Sequence, residues 1–236
     1  MTRRRWIADR VEGHHAFLLG ANAHHLFRVL RAQPGQQFDI AAEGVVRLGT
    51  IVHATANEIQ FHLGEEVPGE VLPEVVVYLS IFKFDRLEWA IEKLTELGVS
   101  RIIPLLAERS AQHLAKAAEA RVERWRKIAK ESAQQARRIA PPEIAVPLRV
   151  PAMLKAEAEC RIILSEVENA VSLKSSLSGA RPPIALALGP EGGWTPEELE
   201  SFTSAGWKSA SLGATILRAE TAAIAAVAVV FSELQE

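Results

Sequence analysis

The sequence predicts an α/β protein in two parts, a small N-terminal β-barrel followed by a parallel sheet with helices on both faces. Three observations carry this. Residues 1–66 divide into short apolar or alternating runs separated by turn residues, the spacing of a small barrel. After Gly64-Glu65-Glu66-Val67-Pro68-Gly69, which reads as a linker, continuous β-branched runs such as Val75–Ile81 take over, the mark of strands buried on both faces. Those runs alternate with segments of helical periodicity, the pattern of a parallel sheet. The boundary is placed between residues 1–68 and 69–236.

In the first part, Ala16–Leu19, Gln37–Ala41, Val45–Thr55 and Asn57–Leu63 are the expected strands, with Glu43-Gly44 turning the middle pair. One helix interrupts them, capped by Asn22, with His25, Leu26, Val29 and Leu30 at helical spacing. In the second part, a helix over Asp85–Leu97 presents Leu87, Ala90, Ile91 and Leu94 on one face and stops at Gly98. Arg101–Leu106 reads as a strand and 115–138 as one long basic helix with Val122, Trp125, Ile128 and Ala129 inward. Ile162–Leu164, Ile184–Leu188 and Ala210–Leu212 are further strands. The helix from Thr221 to Leu234 is apolar nearly all round and so must be buried. Its alanines 222, 223, 225 and 226 suit close approach to another helix, in the chain's own core or in a second copy.

The chain has 236 residues, 48% hydrophobic and 24% charged, ordinary for a globular protein. A lone cysteine, Cys160, excludes an internal disulfide and a multi-cysteine zinc site; it reads as a small buried thiol in a reducing compartment. Arg3, Arg4 and Arg5 are not followed by a secretory apolar run, and Ala222–Phe231 is far short of the roughly 20 residues of a membrane span, so a cytoplasmic location is expected. The net charge of −2 hides two basic segments. Residues 1–31 hold Arg3, Arg4, Arg5, Arg10, Arg28 and Arg31 against Asp9 and Glu12. Residues 121–138 hold seven basic residues against Glu123 and Glu131. Each is either a phosphate-binding face or a solvated helix surface.

Two segments carry the chemistry. Gly189-Pro190-Glu191-Gly192-Gly193-Trp194-Thr195-Pro196-Glu197-Glu198 follows an apolar strand and leads into a helix, with Thr195 as N-cap, Pro196 at the first helical position and Glu198 completing a capping box. Its glycines permit either a tight turn or close approach of backbone to a ligand. Neither the dinucleotide fingerprint nor the triphosphate loop is present. The second segment, Ser211-Leu212-Gly213-Ala214-Thr215-Ile216-Leu217-Arg218-Ala219-Glu220-Thr221, places an Arg and a Glu at the mouth of the apolar helix.

Together these two motifs resemble the SPOUT methyltransferases, and within them the branch acting on small-subunit ribosomal RNA. His24-His25-Leu26-Phe27-Arg28-Val29-Leu30-Arg31, Asp85-Arg86-Leu87-Glu88-Trp89, Lys93 through Val99, Glu108-Arg109-Ser110 and Trp125 through Arg138 agree in order, so the likeness spans the chain. Departures include Lys83-Phe84-Asp85 for Lys-Gly-Asp and Arg218-Ala219-Glu220-Thr221 for Arg-Thr-Glu-Thr. The resemblance implies a PUA-like RNA-binding barrel, a SPOUT domain with a trefoil knot, a homodimer, and S-adenosyl-L-methionine as cofactor. It further implies methylation of N3 of one uridine in 16S rRNA of the assembled 30S subunit.

On that footing Leu164, Gly189, Glu191, Gly192, Gly193, Leu212, Gly213, Ile216, Leu217 and Thr221 are the expected cofactor contacts. Uracil N3 must lose its proton before it can attack, and the resulting charge spreads onto the flanking oxygens. Arg218 is the candidate donor to such an oxygen, and Glu191 or Glu220 the candidate proton acceptor. No metal is required, because a sulfonium is already a good leaving group. Arg3, Arg5, Arg28, Arg31, Arg109 and Arg138 are the RNA-contact candidates. The rival readings are a SPOUT enzyme acting on another RNA, a non-catalytic ribosome-binding protein, and an enzyme with a phosphorylated ligand at the glycine loop.

Overall fold

The structure, a computed structural model, describes residues 5–69 and 72–234. The chain forms two compact units, Met1–Val71 with Ala133–Pro141, and Leu72–Ser132 with Pro142–Glu236.

In the first unit the strands are β1 (Arg5–Ile7), β2 (Arg10–Glu12), β3 (His15–Leu19), β4 (Gln37–Ala42), β5 (Val45–Ala54) and β6 (Glu58–Glu66), with helix α1 (Gly20–His24) after β3. They pair in the order β1-β4-β5-β6-β3-β2, antiparallel except for β1 beside β4, and form a half-barrel. Trp6, Leu18, Leu26, Ile40, Ile51 and Phe61 fill its concave side. Glu43 and Gly44 form the two-residue hairpin loop, with φ of 51° and 81°, as the favoured twist of such hairpins demands. Strand β6 runs on through Glu66, so the expected linker is in its first half still ladder.

Helix α1 differs from the expectation as well. It starts at Gly20, Leu19 caps it without a side-chain bond, and Asn22 Oδ1 instead accepts from Gln134 Nε2 at 3.4 Å. Residues His25–Val29 then form a π-helical turn. The wider turn breaks the 3.6-residue spacing, so Leu26 stays buried while Val29 (62% exposed) and Leu30 swing outward. Ala133 joins Ile7, Ala41 and Val46 in a small cluster, which brings residues 133–141 into this unit.

The second unit holds, in order, β7 (Val75–Ser80), α2 (Phe84–Leu97), β8 (Arg101–Leu106), α3 (Gln112–Ala117), α4 (Val122–Gln135), β9 (Glu143–Ile144), β10 (Leu148–Arg149), α5 (Val150–Met153), β11 (Cys160–Leu164), α6 (Leu173–Ser176), β12 (Ile184–Leu188), α7 (Pro196–Ser204), β13 (Lys208–Ala210) and α8 (Ala219–Leu234). The sheet runs β10-β8-β7-β12-β11-β13, with β9 also on β8, and every pairing is parallel. Cys160 is buried, and burial pushes its thiol pKa up. Helix α2 ends where Gly98 takes φ 109°, its N–H reaching back to Leu94 and Thr95 carbonyls.

Two expectations are corrected here. The long basic helix is three pieces: α3, a 3-10 turn at Glu119–Arg121, and α4, which stops at Gln135; Arg137 adopts φ 57° beyond it. Only α4 carries the inward face, with Val122, Trp125 and Ala129 buried. In α8 the small residues Ala223 and Ala226, with Val227, Val230 and Phe231, face the chain's own core, where the helix packs along α2. Ala222 and Ala225 are half-buried. No described helix is long and apolar enough to cross a membrane.

Candidate active site

Parallel strands deliver their C-terminal loops to one sheet end, where ligands of open α/β sheets bind. Here the neighbours β12, β11 and β13 send out the loops that begin at Gly189, Ser165 and Ser211.

The glycine loop is held rigidly. Gly193 N donates to Pro190 O at 2.9 Å, closing a turn that puts Gly193 at φ 69°. That φ favours glycine, and a Cβ there would also push the Glu166 carboxylate aside. Trp194 is buried, and its indole Nε1 donates to Leu164 O at 2.8 Å, fastening the loop to the end of β11. Thr195 and Glu198 form the capping box expected at the start of α7. The other oxygen of Glu198 accepts from Glu108 N at 2.9 Å, and Arg109 Nη1 donates to Gly192 O at 2.9 Å. The loop after β8 is thus tied to the glycine loop at two points.

The loop after β13 turns at Gly213, φ 128°, where Ser211 Oγ accepts from Gly213 N at 3.1 Å. Beside it, the loop after β11 folds round Glu168, whose carboxylate accepts from the N–H groups of Ala170 (2.8 Å) and Val171 (3.1 Å). Those two bonds hold its pKa below the ordinary carboxylate range.

The three loops enclose a cavity of about 400 Å³. Of the residues expected at the cofactor or the reacting base, Leu164, Gly189, Glu191, Gly193, Leu212, Gly213, Ile216, Leu217 and Arg218 line it. Gly192, Glu220 and Thr221 do not. Gly192 turns its carbonyl to Arg109, Glu220 is buried behind the wall, and Thr221 is exposed on α8. Ile216 is 85% exposed, and the Arg218 guanidinium meets no carboxylate among the described residues. Sequence reasoning missed the β11 loop, which contributes Ser165, Glu166, Val167 and Asn169. No glycine or capping motif marks it. Arg86 was also missed as a site residue: it donates to Glu191 Oε1 across 105 positions, a distance that local spacing cannot reveal.

The RNA-contact candidates lie as follows. Arg3 falls outside the described residues. Arg5 Nη1 donates to Arg137 O at 2.6 Å. Arg28 is exposed, its guanidinium 5.6 Å from the centre of the Phe27 ring. Arg31 is exposed at φ 53°. Arg138 is half-buried, and burial pushes its pKa down to about 10. These four belong to the first unit, whereas Arg109 belongs to the second, on the glycine loop.

A half-barrel with a parallel-sheet unit, its strand ends gathered round a glycine-rich cavity, is the architecture of an RNA methyltransferase. The RNA methyltransferase domain family matches residues 70–231, and the RNA methyltransferase PUA domain family matches residues 18–63. The chain is 35% identical to ribosomal RNA small subunit methyltransferase E of Synechocystis sp. over 220 residues, 89% of this chain and 71% of that one. It is 30% identical to the Bacillus subtilis protein of the same name over 225 residues, 90% and 88% of the two chains. A crystal structure of the Neisseria gonorrhoeae protein of that name, bound to S-adenosyl methionine, superposes with a TM-score of 0.80 at 26% identity, covering 97% of this chain and 96% of that one. The chain belongs to the ribosomal RNA small subunit methyltransferase E family.

Proposed function

We propose that this protein transfers the methyl group of S-adenosyl-L-methionine to N3 of one uridine in 16S rRNA of the 30S subunit, in the cytoplasm. The observation that carries the reading is the convergence of the glycine loop and the Leu212–Arg218 loop on one cavity. Its volume of about 400 Å³ lies in the usual range for small-molecule sites. Its glycine walls and the apolar side chains Leu164, Leu212 and Leu217 suit an adenosine flanked by a charged tail. When bound, the cofactor supplies an electrophilic methyl group.

The chain's own groups do the rest. Arg218, at the cavity and without a carboxylate partner among the described residues, donates to a uracil oxygen as charge develops there, an effect worth about 2.7–4 kcal/mol where comparable donors have been removed. Glu191, which lines the cavity, takes the N3 proton; Glu220, buried behind the wall, supports it. Loops anchored by Trp194 and Glu198 keep the reacting atoms aligned, which lowers the entropic part of the barrier. Residues 1–68, joined by 133–141, serve as the PUA-like RNA-binding module, with Arg3, Arg5, Arg28, Arg31 and Arg138 meeting phosphates. The remainder of residues 69–236 forms the SPOUT domain, its C-terminal segment drawn into a trefoil knot, and two copies pair as a homodimer.

Calorimetric titration with S-adenosylmethionine tests the site. Gly213 has open space round it but a φ of 128° that strains any side chain, so Gly213→Trp crowds and distorts the cavity loop while leaving the core untouched. The variant should stay folded and lose cofactor binding. Unchanged affinity would sink the assignment.

A further inference from the structure

Arg86 stands in the first turn of α2 and meets carboxylates from two different segments. Its Nη1 is 3.1 Å from Glu191 Oε1 in the glycine loop, and its Nε is 3.7 Å from Glu220 Oε1 at the start of α8. The three environments differ. The Glu191 side chain is 47% exposed and Arg86 31%, but Glu220 only 8%, and Glu220 Oε2 is buried with no hydrogen-bond partner among the described residues. A buried carboxylate with one unsatisfied oxygen needs a cation close by. Arg86 is the cation that the structure gives it, and the same planar guanidinium also holds the carboxylate at the cavity wall. The base of the arginine cannot drift, because Leu87, Ala90 and Ile91 of α2 are locked in the core.

We propose that Arg86 is a positioning residue for methyl transfer: through one guanidinium it ties Glu191 to buried Glu220 and so fixes where the cavity carboxylate stands. The proposal rests on the methyltransferase reading of this cavity. It explains why an acidic residue is buried beside the site without lining it: Glu220 is the counter-charge that sets the arginine. It also distinguishes the two carboxylates, Glu191 acting on the substrate and Glu220 acting on Arg86. Lysine is a poor substitute, since an ammonium offers a single point where the guanidinium presents separate donors to two partners.

The test uses the protein and five variants: Arg86→Lys, Arg86→Gln, Arg86→Gln/Glu220→Gln, Glu191→Gln, and the triple variant that combines the last two. Thermal midpoint, cofactor affinity, and kcat and KM on 30S particles lacking the modification are measured for each. Arg86→Gln leaves Glu220 unpaired and should lower the midpoint. Arg86→Gln/Glu220→Gln removes the orphaned charge and should recover it, while kcat stays down by about 10–100-fold, the scale of a misplaced reacting group, and KM for the particle holds. Arg86→Lys should fold but recover kcat only in part. The triple variant should be no slower than Glu191→Gln alone, because Arg86 acts through Glu191 and has nothing left to position once that carboxylate is gone. Wild-type kcat in Arg86→Gln/Glu220→Gln, or a triple variant slower than Glu191→Gln by about the same 10–100-fold, would overturn the assignment. If the unsubstituted protein does not bind S-adenosylmethionine, the proposed function itself fails; an aberrant pattern confined to the variants overturns only the role of Arg86.

Discussion

Glu198 joins two loops through one carboxylate, with Oε2 on Thr195 N and Oε1 on Glu108 N. The glycine loop is therefore held by groups that do not line the cavity. Glu168 does the same for the β11 loop through the N–H groups of Ala170 and Val171. Those bonds lower its pKa, so its contribution to stability is complete above the ordinary carboxylate range and is lost as the pH falls through the lowered value. Urea midpoints of the wild type and Glu168→Gln, compared across pH, should differ most at neutral pH and converge in acid; a gap independent of pH would contradict this. The capping box was legible because its residues lie three apart in sequence. Arg86 was not, because it reaches Glu191 across the fold, and Glu166 was not, because only the pairing of β11 with β12 brings it beside Gly193.

At the scale of elements, α8 shows what periodicity does and does not encode. Its composition requires burial but does not say against what. The structure answers with α2 for Ala223 and Ala226, the latter 0% exposed, while Ala228 is exposed. Ala226→Arg should therefore cost more than about 4 kcal/mol, the mark of an unpaired buried charge, and Ala228→Arg should leave the folded monomer within about 0.5 kcal/mol. Chemical denaturation decides it, and a tolerated Ala226→Arg would place that face outside the core. The strands β7, β8 and β12 were readable as continuous β-branched or apolar runs. The breaks between α3, the 3-10 turn and α4 were not, since Ala, Lys and Glu favour helix throughout 112–135 and tertiary packing chose where to interrupt it. The π turn at His25–Val29 hid in the same way, because its residues have helical spacing without helical burial.

For the whole molecule, topology assembles the site. Adjacent parallel strands gather loops from residues 165–169, 189–194 and 211–218 at one end of the sheet, although no local signal links them. A second long-range effect draws residues 133–141 from the end of α4 into the N-terminal unit, which a linear reading of domains does not anticipate. What the sequence does hold is the pair of motifs that face the cavity, and these define the chemistry. The most direct test is methylation in vitro of 30S particles from cells lacking the modification, with purified protein and S-adenosylmethionine, followed by nucleoside mass spectrometry of the 16S rRNA. The account predicts one N3-methyluridine per 16S rRNA and none after Arg218→Ala. Methylation of another base, or methyl transfer that survives Arg218→Ala unchanged, would contradict it.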